Sequence, residues 1–344
     1  MSADSMETPP VQRIPLITYL TLILLTSGIG SVFAADKLKF GMLRVPNASY
    51  IGIERGFFAE QNLDIEVVYF RSGAELVPSL ATGQIDIAAT TAGAALYNSI
   101  AQGVKVKIVA DYQSLRPDEP SGSTNWIVVR KALIDSGTFK TPADAKGKAI
   151  AITARGQITH FFAGRFLENA GLTEKDARLV TMSYPDMLAA FKGGSIDVAM
   201  WIDPFMTIGE QNGFSKRFMS VAEIMPDLTV GVVMYGERLT EKDRKMGERF
   251  MAGFHKANRW LRANINDPSG RKDIAKIYQK YIPVEDASAY ERVAIGVGRD
   301  SLTPNVDGPN GLRVQRDWYA KQGLIPKLPD LKDAVDPSFA QTLK

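Results

Sequence analysis

Four loops of this sequence carry residues that could hold a small anion. In each loop, a small or hydroxyl-bearing residue comes just before a predicted helix. The first turn of a helix offers free N–H groups and the positive end of the helix dipole, and both attract anions. Ordinary helix capping explains any one such loop, and for Ser72 or Thr159 alone it is the simpler interpretation. Four loops together favour an anion site, whose predicted members are Asn47, Ser49, Tyr50, Ser72, Gly73, Thr90, Thr91, Gly156, Gln157 and Thr159.

Single side chains near these loops could add specific contacts. Arg155 follows a predicted strand, and its guanidinium could bind a sulfonate or carboxylate through two hydrogen bonds, although a surface position explains it equally well. His160 could donate one hydrogen bond to a ligand. Trp201 could form an apolar wall of a cleft. Asp203 could accept a hydrogen bond from an amine or hydroxyl, or cap the turn at Pro204. Two further aromatic residues could line the cleft, Tyr184 and Tyr235.

The composition argues against several other kinds of chemistry. The 344 residues include no cysteine, which excludes a thiol nucleophile, a disulfide or a thiolate metal site, and the two histidines have no zinc-site pattern around them. The Gly-x-Ser-x-Gly motif of many hydrolases is absent from the sequence. A net charge of +3, with acids and bases well mixed, does not favour nucleic acid. We therefore predict a protein without enzymatic activity, cofactor, bound metal or nucleic-acid partner.

The elements that must position these residues occur as a repeat. Residues 80–88 and 191–199 both have the pattern of a helix end, a glycine and a short apolar strand with one aspartate. These aspartates, Asp86 and Asp197, lie 111 positions apart, which is too long for a solenoid repeat. The repeat therefore indicates two similar α/β lobes with a cleft between them, and we predict that both aspartates are structural.

Apolar and alternating patterns predict strands near residues 38–43, 63–70, 85–89, 104–110, 126–129, 149–153, 179–183, 196–201 and 229–235. Helices separate most of them, which indicates a mostly parallel sheet in each lobe, flanked by helices. A long helix ending near residue 264 has a regularly spaced apolar face, which is typical of a core helix. The predicted first lobe is residues 36–131 with 229–344, and the second is residues 132–228. Two strands, near residues 126–131 and 231–235, are expected to form the hinge.

Residues 13–35 fit a secretory signal peptide, although the region before them is atypical because Asp4 and Glu7 offset the charge of Arg13. Arg13 precedes an apolar run over residues 14–29, and small residues follow up to Ala34 and Ala35. We predict cleavage after Ala34 and export to the periplasm. An uncleaved membrane anchor is the alternative, since the apolar stretch is about long enough to span a bilayer.

Five segments of the sequence resemble the periplasmic substrate-binding proteins of ABC importers for nitrate, aliphatic sulfonates, taurine and thiamine-pyrimidine precursors. They are residues 50–58, 80–86, 133–148, 155–161 and 196–205. The last segment is the most specific, because an apolar strand that runs into Trp-x-Asp-Pro-Phe is rare. The resemblance implies the type II periplasmic-binding-protein fold, whose two lobes close on a ligand, and delivery to an ABC transporter permease in the inner membrane. It leaves the ligand open, because related proteins bind different molecules.

The residues and the resemblance together predict a binding protein for a small organic anion, either sulfonate- or taurine-like or a carboxylate. A binding protein for an aromatic acid or a thiamine-pyrimidine precursor is an alternative. The related thiamine-pyrimidine synthases are enzymes that consume an internal histidine and need a cysteine-rich motif, which this chain lacks. A sensor that docks on a membrane receptor is a further alternative. We expect a monomer.

Overall fold

The computed structural model describes residues 34–116, 123–282, 284 and 289–341. The predicted signal peptide lies outside these residues, apart from Ala34. None of the helices that the structure describes is long and apolar enough to cross a membrane.

Strands and helices alternate along most of the described chain. The strands are β1 (Asp36–Met42), β2 (Leu63–Tyr69), β3 (Ile87–Thr90), β4 (Lys107–Leu115), β5 (Asn125–Arg130), β6 (Ala149–Ile152), β7 (Arg178–Thr181), β8 (Val198–Ile202), β9 (Ser215–Ser220) and β10 (Leu228–Tyr235). The helices are α1 (Ala48–Glu54), α2 (Gly73–Ala81), α3 (Ala94–Ala101), α4 (Lys131–Asp135), α5 (Ile158–Asn169), α6 (Tyr184–Lys192), α7 (Phe205–Gln211), α8 (Val221–Ile224), α9 (Arg244–Asn264), α10 (Pro268–Tyr281), α11 (Ala289–Arg292), α12 (Leu312–Lys321), α13 (Leu331–Ala334) and α14 (Ser338–Gln341). Short 3₁₀ helices span Ala59–Gln61, Pro142–Ala145 and Glu174–Asp176, and a π-helical turn spans Arg238–Lys242.

The strands form two five-stranded sheets, in the orders β2-β1-β3-β10-β4 and β7-β6-β8-β5-β9. In the first sheet, β1 is parallel to β2 and β3, whereas β10 is antiparallel to β3 and β4. In the second sheet, β6 is parallel to β7 and β8, whereas β5 is antiparallel to β8 and β9. Each sheet is thus mostly parallel with one reversed strand, which confirms the predicted fold class. We call the first sheet with α1–α3 and α9–α14 the first lobe, and the second sheet with α4–α8 the second lobe.

The chain passes between the lobes before each reversed strand. The predicted hinge segments, near residues 126–131 and 231–235, fall on β5 and β10. Each of these strands is hydrogen-bonded within one sheet, β5 in the second and β10 in the first. The crossings therefore lie between β4 and β5 and between α8 and β10, ahead of the segments predicted as the hinge.

The two copies of the repeat have the same local structure. Helix α2 ends shortly before Gly83 and helix α6 ends shortly before Gly194. Both glycines are left-handed, with φ of 73° and 69°. A residue with a Cβ is strained in this conformation, which explains why both helices stop at a glycine.

The two aspartates of the repeat make equivalent contacts. Oδ2 of Asp86 accepts a hydrogen bond from a backbone N–H of β1 (2.8 Å), and Oδ2 of Asp197 accepts one from the first N–H of β6 (3.0 Å). Each carboxylate also pairs with an arginine at or just after the end of the reversed strand, Arg238 at 3.0 Å and Arg130 at 2.6 Å. These contacts tie the reversed strand to the central parallel strand, which is a structural role.

Helix α9 covers the first sheet with the apolar face that the sequence predicted. The ring of Phe250 lies 5.2 Å from that of Phe40 on β1, edge to face. The residues of this face are buried, and they are Met246, Phe250, Phe254, Ala257 and Leu261.

Helix α12 packs against both lobes, through α3 of the first and α5 of the second. Nε1 of Trp318 donates a hydrogen bond to Glu168 on α5 (3.0 Å), and its indole packs edge to face on Phe161, with centroids 5.4 Å apart. The approach to α5 is so close that a Cβ added to Gly164 would lie 2.0 Å from Cζ2 of Trp318. On this side the two lobes are therefore joined by a tight helix contact.

A fully buried acid, Asp111 on β4, lies beside the crossings. Its carboxylate contacts the hydroxyls of Ser114 and Thr229, and Nε of Arg299 lies 3.3 Å away. Arg299 also pairs at 2.5 Å with Asp227, in the segment before β10. Burial raises the pKa of Asp111 to about 6, despite the opposing effects of Ser114 and Arg299.

Candidate functional site

A cavity of about 740 Å³ lies between the two lobes. It is bounded by the residues that follow the carboxyl ends of β1, β2, β6, β7 and β8, where ligands of open α/β sheets are found. Its volume falls in the range of small-molecule sites. The first lobe contributes Leu43, Arg44, Val45, Tyr69, Phe70, Arg71, Ser72 and Ile282. The second lobe contributes Thr153, Ser183, Tyr184, Pro185, Asp186 and Phe205.

Two arginines give the first-lobe wall of the cavity a positive charge. The guanidinium of Arg44 lies 3.6 Å from the ring centroid of Tyr69, and its Nη1 donates to the carbonyl of Tyr281 at 2.7 Å. Arg71 is exposed, and within the described part of the chain its guanidinium has no hydrogen-bond or ion-pair partner. Arg44 is therefore held in place by the protein, whereas Arg71 has all its donors available for an anion.

Aromatic rings form much of the remaining wall. Tyr69 and Phe70 come from the first lobe, and Tyr184 and Phe205 come from the second. The rings of Tyr184 and Phe205 are stacked, with centroids 6.5 Å apart and planes 18° from parallel. Burial raises the pKa of the Tyr184 hydroxyl, so it stays protonated and uncharged at neutral pH. Tyr184 thus offers both an apolar face and a neutral donor to the cavity.

The equivalent helices of the two lobes both begin at the cavity. Helix α2 starts after Ser72, whose hydroxyl donates to Glu75 (3.3 Å) and does not cap the helix backbone. Helix α6 starts after Ser183, whose Oγ accepts from the N–H of Asp186 (3.4 Å). The first turn of each helix contains a carboxylate, Glu75 in α2 and Asp186 in α6, and the start of α2 is in addition next to Arg71. The first-lobe side is therefore the more favourable one for an anion.

Several predicted site residues come together beside the cavity, where they bind each other. Oε1 of Gln157 accepts from the Thr91 hydroxyl at 3.0 Å, and the carbonyl of Gly156 accepts from the N–H of Ala94 at 2.8 Å. Both contacts join the first lobe to the second. The predicted loops at residues 72–73, 90–93 and 155–159 do converge, and the carboxamide of Gln157 lies at their centre.

Other members of the predicted loops have structural partners. Asn47 caps α1 by accepting from the N–H of Ser49 (2.9 Å). Tyr50 is buried and stacks on Tyr281, with centroids 4.5 Å apart. Thr159 contacts the hydroxyl of Thr153 at 2.7 Å. These side chains support the fold beneath the cavity and do not line it.

Arg155 and His160 share one partner in the second lobe. The exposed guanidinium of Arg155 lies 3.2 Å from Glu174. His160 is buried, its Nδ1 accepts from the N–H of Gly156 (3.0 Å), and its Nε2 lies 2.7 Å from Glu174. This pattern assigns the proton of the neutral ring to Nε2. Burial opposes ionisation of Glu174, but His160 and Arg155 outweigh it and lower its pKa. The anion that Arg155 binds here is thus a side chain of the protein.

Trp201 and Asp203 lie away from the cavity wall. Trp201 is buried in the second-lobe core, where Nε1 donates to the carbonyl of Tyr184 (3.2 Å). Oδ1 of Asp203 accepts from the N–H of Thr207 (3.1 Å), which caps α7, and Oδ2 accepts from the N–H of Ala294 in the first lobe (3.1 Å). Asp203 therefore caps the turn that follows β8 and does not face a ligand, and its bond to Ala294 also links the lobes.

Of the residues selected from the sequence, Ser72 and Tyr184 line the cavity. Tyr235 is buried under α9 and donates to the carbonyl of Gly247 (2.8 Å). Arg44, Arg71 and Phe205 also line the cavity but were not predicted as site residues. Their place in the sequence could have identified them, because each lies within three residues after the end of a parallel strand.

Metal ligands are not clustered in the described structure. Among residues 34–116, 123–282, 284 and 289–341, no three His, Cys, Asp or Glu side chains are placed to hold a metal ion. The side-chain chemistry available to the cavity is therefore that of two guanidinium groups, the Asp186 carboxylate, hydroxyls and aromatic rings.

Comparison with known proteins agrees with this architecture. The profile of a family described as "NMT1/THI5 like" matches residues 47–267. A protein of Haemophilus influenzae that is named, provisionally, a thiamine biosynthesis protein is 24% identical over 318 residues, which are 88% of this chain and 92% of the relative.

Two solved structures are similar along nearly their whole length. The alkanesulfonate-binding protein SsuA from Xanthomonas axonopodis pv. citri, bound to MOPS, has a TM-score of 0.69 at 20% identity and covers 88% of this chain and 98% of its own. The periplasmic nitrate-binding protein NrtA from Synechocystis PCC 6803 has a TM-score of 0.70 at 13% identity and covers 90% and 88%. At these identities the similarity establishes the fold.

Proposed function

This chain belongs to the NMT1/THI5-like family, and on that premise we propose that it binds a small organic anion between its lobes and delivers it to an ABC importer. The observation that carries the proposal is the cavity of about 740 Å³, to which both lobes contribute walls. Its first-lobe side presents Arg44 and Arg71 next to the start of α2, and the Arg71 guanidinium has no partner among the residues that the structure describes. A sulfonate or carboxylate suits this side because guanidinium groups bind such anions through paired hydrogen bonds.

The mechanism we propose is closure of the lobes around the ligand. Residues from both lobes contact the same space, so a ligand that touches both walls binds the closed arrangement more tightly than an open one. Ligand then shifts the population toward the closed state without breaking a covalent bond. A transporter could recognise the loaded protein by this difference in shape.

The proposal includes export, a monomeric state and action without a cofactor. The similarity to periplasmic binding proteins supports export, as does the signal-like sequence before Ala35. The two solved structures above are binding proteins by their titles, which supports a role without catalysis.

A binding protein for a thiamine-pyrimidine precursor is a second candidate. The aromatic walls of the cavity favour it, because a pyrimidine ring could stack on Tyr184 or Phe205. The name of the Haemophilus influenzae relative points the same way. A synthase is disfavoured, because the chain has no cysteine for the motif that the related enzymes need. Binding of an aminopyrimidine in preference to every anion would support this candidate.

Isothermal titration and thermal shift on the chain from Ala35 onward test the proposal. A panel of sulfonates, carboxylates, nitrate and aminopyrimidines should include anions that stabilise the protein, by about 2.7 kcal/mol at a hundred times the Kd. Arg71→Gln should weaken anion binding by about 1.5–3 kcal/mol, since it removes charge-assisted hydrogen bonds. Arg178→Gln, on the exposed edge of β7, is the matched control and should leave binding unchanged.

Two results would contradict the proposal. One is a panel in which no anion binds, and the other is anion binding that Arg71→Gln does not weaken. Delivery is tested separately, by uptake of the identified ligand in cells that lack this chain. Wild-type protein should restore uptake, and Arg71→Gln should not.

A further inference from the structure

Gln157 fills the point where three helix starts converge. Helices α2, α3 and α5 begin at Gly73, after Gly93 and after Gln157 itself. A Cβ on Gly73 would lie 2.7 Å from Oε1 of Gln157, and a Cβ on Gly93 would lie 2.6 Å from its Nε2. A Cβ at either glycine would collide with the carboxamide as it is placed, so Gln157 fills the point toward which these three loops converge.

The packing around this point is tight on the first-lobe side as well. The same Cβ on Gly73 would lie 2.4 Å from Oγ1 of Thr90. The Thr90 hydroxyl is buried, and it has no partner among the residues that the structure describes. The carboxamide of Gln157 thus lies next to the converging helix starts, and an ion at that point would have to displace it.

The space that remains for a ligand is the cavity at α2 and α6. Its walls include the rings of Tyr69, Phe70, Tyr184 and Phe205, with the guanidinium groups of Arg44 and Arg71 on one side. A cavity of about 740 Å³ has room for a ligand larger than nitrate or taurine. A small ion would leave the rings in contact with water and gain nothing from them.

We infer, on the premise of the proposed function, that the ligand is an anion with a planar aromatic body, such as an arylsulfonate or an aromatic carboxylate. The anionic group lies on Arg71, and the ring lies against the stacked pair Tyr184 and Phe205. Small aliphatic anions and nitrate are not the preferred ligands, because Gln157 fills the point where the three helix starts converge and such anions make no use of the aromatic walls.

Matched pairs of anions test this inference by titration calorimetry on the chain from Ala35 onward. Benzenesulfonate is compared with ethanesulfonate, benzoate with acetate, and taurine and nitrate are titrated alone. Burial of one phenyl group corresponds to roughly 1.5–3 kcal/mol, so the aromatic member should bind about 10- to 150-fold more tightly.

Two leucine variants locate the ring. Phe205→Leu should weaken binding of the aromatic member by about 2- to 12-fold and leave the aliphatic member unchanged, because loss of a stacked ring removes roughly 0.5–1.5 kcal/mol. Phe214→Leu is the control, since Phe214 is also half-buried on the core of the second lobe but does not line the cavity. It should leave both members unchanged.

The outcomes separate the inference from the proposed function. If aliphatic anions or nitrate bind as tightly as aromatic ones, and Arg71→Gln still weakens them, the inference is overturned and the binding function stands. The same holds if Phe205→Leu and Phe214→Leu have equal effects. If no anion binds at all, both the inference and the proposed function are contradicted. A preference for the aromatic member that depends on Phe205 and Arg71 supports both.

Discussion

Substitution of Gly164 by alanine tests the contact that joins the lobes behind the cavity. In an ordinary helix this change stabilises by about 1 kcal/mol, because glycine has the lower helix propensity. Here the new Cβ would lie 2.0 Å from Cζ2 of Trp318 and 2.8 Å from its Cη2. The indole cannot move away easily, because Nε1 is bonded to Glu168 and the ring packs on Phe161 and Tyr319. Overpacking costs about 1–3 kcal/mol, and an approach of 2.0 Å places this case in the upper part of the range, at about 2–3 kcal/mol. We therefore expect Gly164→Ala to lower the free energy of unfolding by about 1–2 kcal/mol, net of the propensity gain.

The assay is urea unfolding followed by circular dichroism, with unchanged m-values as the check on two-state behaviour. Trp318→Leu removes the obstructing ring, and in that background Gly164→Ala should be neutral or stabilising. The double-mutant cycle should then give a coupling energy of about 2–3 kcal/mol. The reasoning would be refuted if Gly164→Ala stabilised the wild-type protein by about 1 kcal/mol and showed no coupling to position 318.

Three further predictions concern buried polar contacts. Asp111 has a pKa of about 6 in the folded state and about 3.9 in the unfolded state, so the folded protein binds more protons between these values. Ionisation of Asp111 therefore lowers the free energy of unfolding as the pH rises from about 4 to about 6. Asp111→Asn, compared with wild type by urea unfolding across this range, should remove a loss of about 3 kcal/mol, and identical pH slopes would contradict the assignment. Asp197→Asn should lower the free energy of unfolding by about 1–3 kcal/mol, because it weakens the charged contact with Arg130; no change in the urea midpoint would argue against the structural role. Gln157→Ala should lower the free energy of unfolding by about 1 kcal/mol, because it removes the hydrogen bond to Thr91. Small-angle scattering should then detect a larger fraction of molecules with the lobes apart. A rise in melting temperature would count against the idea that Gln157 holds the lobes together.

Much of the fold could be predicted from the sequence because local signals agree with it. The glycines that end α2 and α6 and the apolar face of α9 are both visible in the sequence and present in the structure. Strand β9 was not predicted. Its sequence, Ser-Lys-Arg-Phe-Met-Ser, lacks the apolar alternation by which the other strands were predicted, and it lies at the edge of its sheet. The start of α9 is set by Asp243, which caps the helix by accepting from the N–H of Met246.

The candidate site was harder to predict because it depends on which way side chains point. Trp201 lies on β8, a strand buried on both faces, so an apolar sequence cannot tell which face looks toward the cleft. Arg155 stands beside Gly156, whose left-handed backbone turns the chain, and its partner Glu174 is brought close by the fold. In the structure Arg71 lines the cavity, but nothing in the sequence distinguishes it from the other arginines.

The placement of β10 has a consequence for how the protein is made. This strand sits between β3 and β4, yet it is synthesised only after every strand of the second sheet. Until about residue 228 leaves the ribosome, β3 and β4 each have a bare hydrogen-bonding edge, and such edges invite pairing with other chains. The first half of the molecule must therefore be kept from aggregating while the second half is translated, and a fragment that stops short of β10 would expose both edges permanently.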